Sequence, residues 1–315
     1  MQCRYLIKKT INVAKHLILF IISLIWINTL QAQQRPIIDM HEHAWNVVQA
    51  GPEAPENTTY LKNRLSTADS LNIVRIVASG PHRFVTYWKS IAGDRMISGA
   101  FFPCIDGNPP NQGYGPCFPN NQSFPHINWL REQFETGTYE VMGELTNPYA
   151  GIPYNDERMM PYFELAEELD IPVAVHLQGA PPLTAQNCCP DFRLSFGDPF
   201  ELEEILVKFP DLRLHIMHAN IKWIPTLVLL LQQYPNIMVD LTPYQVAMPR
   251  KGFHDLLREY KINGLIDRVM FGTDGAPYEV SIASIESADF LTEEEKSGIF
   301  CNNAAKFMEQ PGLCK

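Results

Sequence analysis

Eight short apolar runs, each followed by a longer amphipathic stretch, govern what this chain can become. The runs fall at 37–40, 73–78, 98–102, 141–145, 173–177, 212–217, 237–241 and 268–271 and are rich in Val, Ile, Leu and Met. That composition belongs to parallel strands buried on both faces; a strand with one wet face would alternate polar and apolar residues. Apolar residues at i, i+3 and i+4 predict helices at 58–71, 83–92, 127–136, 156–169, 199–209, 224–234, 252–261 and 292–307. The last of these opens with a capping box, Thr292-Glu293-Glu294-Glu295. Eight βα units with no linker between them predict one α/β domain over 33–315, a (β/α)8 TIM barrel. Neither G-x-G-x-x-G nor G-x-x-x-x-G-K-[ST] occurs, which argues against a dinucleotide or P-loop site. The longest irregular stretch, 103–125, follows the third strand, where barrel enzymes place substrate loops.

Residues 1–32 stand apart. Arg4, Lys8, Lys9 and Lys15 precede an apolar run at 17–27 and the small residue Ala32, with no acidic residue among them. This order predicts a secretory signal peptide cleaved after Ala32, and so a periplasmic or secreted protein. The run is too short for a spanning helix, which needs about 20 apolar residues. Removing these four of the 25 basic residues leaves 21 against 35 acidic ones, a formal charge of −14. Such a chain repels nucleic acid and anionic membrane surfaces. The expected partner is a small-molecule substrate, with no stable membrane insertion after cleavage; a homo-oligomer stays open. Six cysteines remain, and an even number in an exported chain permits disulfides. Cys104 with Cys117 would close the irregular loop and Cys301 with Cys314 would pin the tail, although spacing alone proves neither pairing. Cys188-Cys189 has no partner base in view, which argues against a cysteine nucleophile.

A barrel assembles its active site at the C-terminal strand ends, and alternation sends residues i and i+2 to the same side. Strand one ends in Asp39-Met40-His41-Glu42-His43, which places His41 and His43 on one side, with Asp39 beside them one layer deeper. Strand four ends in Gly143-Glu144, strand five in His176, strand six in His218 and strand eight in Thr273-Asp274. Neutral imidazoles and a carboxylate in a compact shell with one open position suit a zinc-type ion. His41, His43, His176 and Asp274 offer that shell. His215, three residues before His218, is expected to turn outward, and His126 and His254 to lie on the surface. Arg83, after strand two, is a candidate to hold a substrate carboxylate, and Trp45 to line the pocket.

These motifs together resemble the amidohydrolase superfamily, in its amidohydrolase-related branch (amidohydrolase family 2). The matching segments are Asp39-Met40-His41-Glu42-His43, Gly143-Glu144, Val175-His176, Met217-His218, Val239-Asp240-Leu241 and Phe271-Gly272-Thr273-Asp274. Asn302-Asn303-Ala304-Ala305-Lys306 resembles the closing helix, so the likeness spans about 36–309. The resemblance implies a distorted (β/α)8 barrel with one, sometimes two, divalent ions; one is favoured here, as Zn2+. It makes His41, His43 and His176 metal ligands and Asp274 a ligand, a proton acceptor or both. His218 would stand beside the ion as a catalytic residue, polarising the substrate or shuttling a proton. Glu144, with His218, would serve a second ion, or orient a histidine.

The expected activity is hydrolysis of a small carboxylic ester, lactone or amide by metal-activated water. The alternative is non-oxidative decarboxylation of an aromatic or unsaturated acid on the same ligands. A further alternative is an exported binding protein without turnover.

Overall fold

A computed structural model describes residues 35–110, 115–177, 180–219 and 221–314; the predicted signal segment lies outside them. The eight strands are β1 Ile37–His43, β2 Ile73–Gly80, β3 Met96–Phe102, β4 Val141–Leu145, β5 Val173–His176, β6 Leu214–Met217, β7 Ile237–Asp240 and β8 Val269–Met270. They pair in parallel in the order β1 to β8, as one sheet. The sheet curls until its edges meet. Met40 N donates to Phe271 O at 2.9 Å and Asp274 N to His41 O at 2.7 Å. The alternating pattern therefore does form a (β/α)8 barrel.

A helix follows each strand: α1 Pro55–Ser70, α2 His82–Ala92, α3 Ile127–Glu135, α4 Met160–Glu168, α5 Glu203–Lys208, α6 Ile224–Gln233, α7 Arg250–Ile262 and α8 Tyr278–Glu286. Their apolar stripes and the outward strand residues make the larger core, in which Val173, Val175, Leu214 and Ile216 meet Leu130, Phe163 and Leu227. Ile38, Met40, Val77, Ile97, Val141, Ala174, Met217, Met238 and Met270 fill the lumen. This is the layered filling that makes such a barrel a packed core and not a pore.

The eighth unit departs from expectation. Its crossing helix is α8, which the apolar periodicity does not reveal, and the predicted helix at 292–307 is broken. It comprises Glu293–Ser297, a π-helical turn at Gly298–Asn302 and Asn303–Phe307. Thr292 does form the expected capping box with Glu295. The break turns Cys301, Ala304 and Phe307 against the lumen residues, so the segment plugs the base of the barrel. Disulfides join Cys301 to Cys314 and Cys104 to Cys117, and a third links the neighbours Cys188 and Cys189.

Candidate metal centre

Two strand irregularities build the site. In β1, Asp39 pairs with Ile76 but Glu42 with Ala78, so three steps on one strand match two on the other. The extra residue is a β-bulge, which re-aims every side chain beyond it. Ile38 and Met40 face the lumen before it; His41 and His43 do so after it. Asp39 consequently does not accompany the two histidines, contrary to simple alternation. It points to the outer side, where its carboxylate accepts from the amides of His41 (3.1 Å) and Thr273 (3.0 Å) and the Thr273 hydroxyl (2.5 Å). Glu42 lies on that side too, accepting from Arg64 Nε at 2.7 Å.

The same device operates in β4. Met142 pairs with Val173 and Leu145 with Val175, again three steps against two. Gly143 takes φ +135°, and a Cβ there would lie 2.3 Å from Ala174 O. Only glycine fits, and its conformation swings Glu144 into the lumen. His176, by contrast, comes from regular alternation with Ala174 along β5. His218 and Asp274 follow their strands in left-handed conformations, φ 62° and 54°, which carry their side chains over the same opening.

These turns bring four of the six expected metal-site side chains, His41, His43, His176 and His218, against a fifth, Glu144, with Asp274 beside His41 and His43. His43 Nε2 lies 3.0 Å from Asp274 Oδ1 and 3.4 Å from Glu144 Oε2; His41 Nε2 lies 3.6 and 3.9 Å from the same two oxygens. A tetrahedral shell with bonds of 2.0–2.2 Å has ligand-to-ligand edges of about 3.3–3.6 Å, so these separations suit one ion. The other oxygen, Glu144 Oε1, meets His176 Nδ1 at 2.5 Å and His218 Nε2 at 3.4 Å. Glu144 thus belongs to two donor groups, one with His41 and His43 and one with His176 and His218.

The ring nitrogens also fit a cation. His41 Nε2 and His176 Nε2 are buried and lack any hydrogen-bond partner. His41 Nδ1 is 2.9 Å from Asp240 Oδ2, and His218 Nδ1 is 2.8 Å from Thr242 O. Fixing one ring nitrogen in this way directs the other toward a metal. Burial opposes charge on Glu144, Asp240 and Asp274, yet the surrounding histidines hold all three below the usual carboxylate range. Burial likewise opposes charge on His41, but Asp240 and Asp274 raise it to about 10. Clustered carboxylates of this kind are what a divalent ion neutralises.

Above the donors opens a cleft of about 560 Å³. Trp45 lines it, as expected, and stacks on His43 at 4.6 Å. Arg83 does not line it; its side chain is exposed and pairs with Glu53 on the surface. The residue sits on the first turn of α2 and is held by Glu53 of the loop after β1, outside the cleft lining. His215 also differs from expectation. It is buried, in phase with Met217, and its Nε2 lies 3.0 Å from Asp240 Oδ2. Counting back from His218 misplaces it because His218 is already beyond the strand. Asp240 itself, and the cleft residues Phe101, Tyr149 and Tyr244, have no assigned role in the sequence reading. An acidic residue closing the apolar run of β7, in phase with Met238, was the available signal for Asp240.

A family described as Amidohydrolase matches residues 135–309. No curated protein matches the chain. Among solved structures, 4-oxalomesaconate hydratase from Rhodopseudomonas palustris is similar at 19% identity and TM-score 0.59, covering 87% of this chain and 96% of the other. A probable 2-pyrone-4,6-dicarboxylic acid hydrolase from Acinetobacter baumannii, with citric acid bound, is 14% identical at TM-score 0.58, covering 87% and 99%. A dihydroxybenzoic acid decarboxylase from Polaromonas with bound manganese is 12% identical at TM-score 0.59, covering 87% and 97%. At these identities the likeness is one of fold.

Proposed function

This chain belongs to the amidohydrolase family, and on that premise we propose that it hydrolyses a small-molecule carboxylic ester, lactone or amide. The observation that carries the reading is the position of Asp274. It is the one shell carboxylate that is partly exposed, at 23%, and it borders both the donor atoms and the cleft. An ionised carboxylate there is placed to take a proton from water attacking a carbonyl held in the cleft.

His41, His43 and Asp274, with one oxygen of Glu144, would hold a divalent ion, taken here as zinc for its preference for mixed nitrogen and oxygen ligands. His176 and His218, around the other Glu144 oxygen, would receive a second. When bound, such an ion would polarise the scissile carbonyl and lower the pKa of a water to about 7. Asp274 accepts the proton as the water oxygen bonds to the carbonyl carbon. With one ion bound, His218, its Nδ1 fixed on Thr242 O, carries a proton on Nε2 and delivers it to the departing oxygen or nitrogen as the bond to carbon breaks; with two ions it would be a ligand instead. Asp240 keeps His41 in register throughout.

Export is part of the proposal. The basic-apolar-small order of residues 1–32 supports it, as do three disulfides, which persist in oxidising compartments. Sequencing the mature N-terminus tests it, with Gln33 as the expected first residue.

The activity is tested with a panel of esters, lactones, amides and carboxylated aromatics, scoring carbon dioxide separately. Turnover of a neutral acyl compound that falls about 10²–10⁴-fold in Asp274→Asn supports the reading. Carbon dioxide release from an aromatic acid as the sole activity overturns it in favour of decarboxylation, and no turnover by metal-loaded protein favours a binder.

A further inference from the structure

The walls of the cleft contrast with its floor. Every histidine and carboxylate of the lining belongs to the donor residues at the floor. Above them stand Trp45, Phe101, Tyr149 and Tyr244, with prolines and alanines between. Trp45 meets Phe101 edge-on at 5.6 Å, and Tyr149 meets His176 edge-on at 5.0 Å, so the aromatic rings present flat faces and edges to a ligand. No lysine or arginine lines the cleft among the described residues. The internal residues outside that set, 111–114, 178, 179 and 220, are Asn, Gln, Gly and Tyr in sequence. Arg64 pairs with Glu42 behind β1, and Arg83 with Glu53 at the surface.

The rim repeats the theme. Val47 and Val48 after β1, Leu183 and Leu194 after β5, and Val246 after β7 are large apolar side chains left exposed. All belong to βα loops, which lie at the mouth of a barrel. Scattered exposed apolar residues need no explanation, but these five come from three of the loops that surround the cleft.

From these two observations we infer that the substrate is electrically neutral, with a flat aromatic or otherwise apolar body, its scissile carbonyl being the polar group that reaches the floor. The inference rests on the hydrolase reading and narrows it. A carboxylate on the substrate's body, held away from the metal by the bound carbonyl, would lie against the apolar and aromatic walls with no lysine or arginine among the described residues to receive it. Burying an unpaired charge is heavily unfavourable. The wall rings instead supply contact area and stacking, as apolar-bodied ligands require.

The test uses the metal-loaded protein and two ketones that cannot be hydrolysed, α-tetralone and its ring-carboxylated counterpart, with binding measured by calorimetry. The neutral ketone should bind at least about tenfold more tightly, the equivalent of 1.4 kcal/mol. Ala247→Arg, which puts a cation on the cleft wall, should shift the ratio toward the carboxylated ketone by a similar factor. Equal or tighter binding of the carboxylated ketone to wild type, or no binding of the neutral one, overturns the inference. Hydrolysis is then assayed separately with dihydrocoumarin and its carboxylated counterpart. Tight binding of neutral ligands without turnover of any neutral ester, lactone or amide leaves this inference standing and defeats the hydrolase reading alone.

Discussion

Asp240 Oδ2 sits between two buried histidines, 2.9 Å from His41 Nδ1 and 3.0 Å from His215 Nε2. Its other oxygen accepts from His218 N at 3.1 Å, Thr242 N at 3.0 Å and the Thr242 hydroxyl at 2.7 Å. One side chain therefore orients His41 and anchors the turn that carries His218.

Asp240→Asn should weaken metal binding by about 10–100-fold, the usual effect of losing the carboxylate behind a ligating histidine. Competition against a chelator of known affinity measures this, with circular dichroism confirming that the barrel is folded. Unchanged affinity would remove Asp240 from the account of the site.

Gly143→Ala tests the β4 bulge. The added Cβ would meet Ala174 O at 2.3 Å with φ at +135°, a conformation L-residues rarely adopt. A loss of about 1–3 kcal/mol is expected from overpacking alone. Glu144 should be displaced with it, so metal content should fall together with the melting temperature. A variant that melts lower but keeps its full metal content would show that the bulge does not position Glu144.

Behind β1, Arg64 is the cation that compensates buried Glu42, and it also donates to the Thr273 hydroxyl at 3.0 Å. Arg64→Met strands the Glu42 charge and should cost about 3–5 kcal/mol. The double variant Glu42→Gln with Arg64→Met should recover part of that loss in denaturant unfolding. No recovery would mean that Arg64 acts through packing on Tyr278, whose ring it covers at 3.5 Å.

His82 supplies a pH dependence remote from the donor groups. Burial holds it below its ordinary value of 6.5, where its Nδ1 shares a 2.9 Å hydrogen bond with Tyr139 OH. A depressed folded pKa means that protonation favours the unfolded chain. The contribution is therefore present above pH 6.5 and is lost as pH falls below it. Between about pH 7.5 and pH 5 the melting temperature of wild type should drop more than that of His82→Gln. Parallel curves would contradict the assignment.

Much of this architecture was legible in the sequence because apolar runs and helical stripes are local signals. Seven strands appear close to their expected places, and β8 shrinks to Val269–Met270 because Phe271 and Gly272 already lead into the turn to Asp274. Strand phase placed His176 correctly, since β5 alternates without interruption. It misplaced Asp39 and His215 for a shared physical reason: a bulge or a left-handed residue resets the phase, and neither leaves a periodic trace. Gly143 was the visible hint in β4. The helix α8 went unseen because its residues, with Ser281 and Ser284 buried, carry no clean apolar stripe. The aromatic cleft walls come from loops far apart in sequence, which only the closed barrel brings together.

Elemental analysis of the purified protein reads directly whether His41, His43, His176, Glu144 and Asp274 hold divalent metal. Stoichiometric divalent metal is expected in wild type, with loss of it in His41→Ala with His43→Ala in a chain that remains folded, and a decrease in Glu144→Gln as the shared ligand is removed. Wild-type protein without a stoichiometric ion after growth and purification in metal-supplemented, chelator-free medium, or a double variant with undiminished metal, would contradict this assignment.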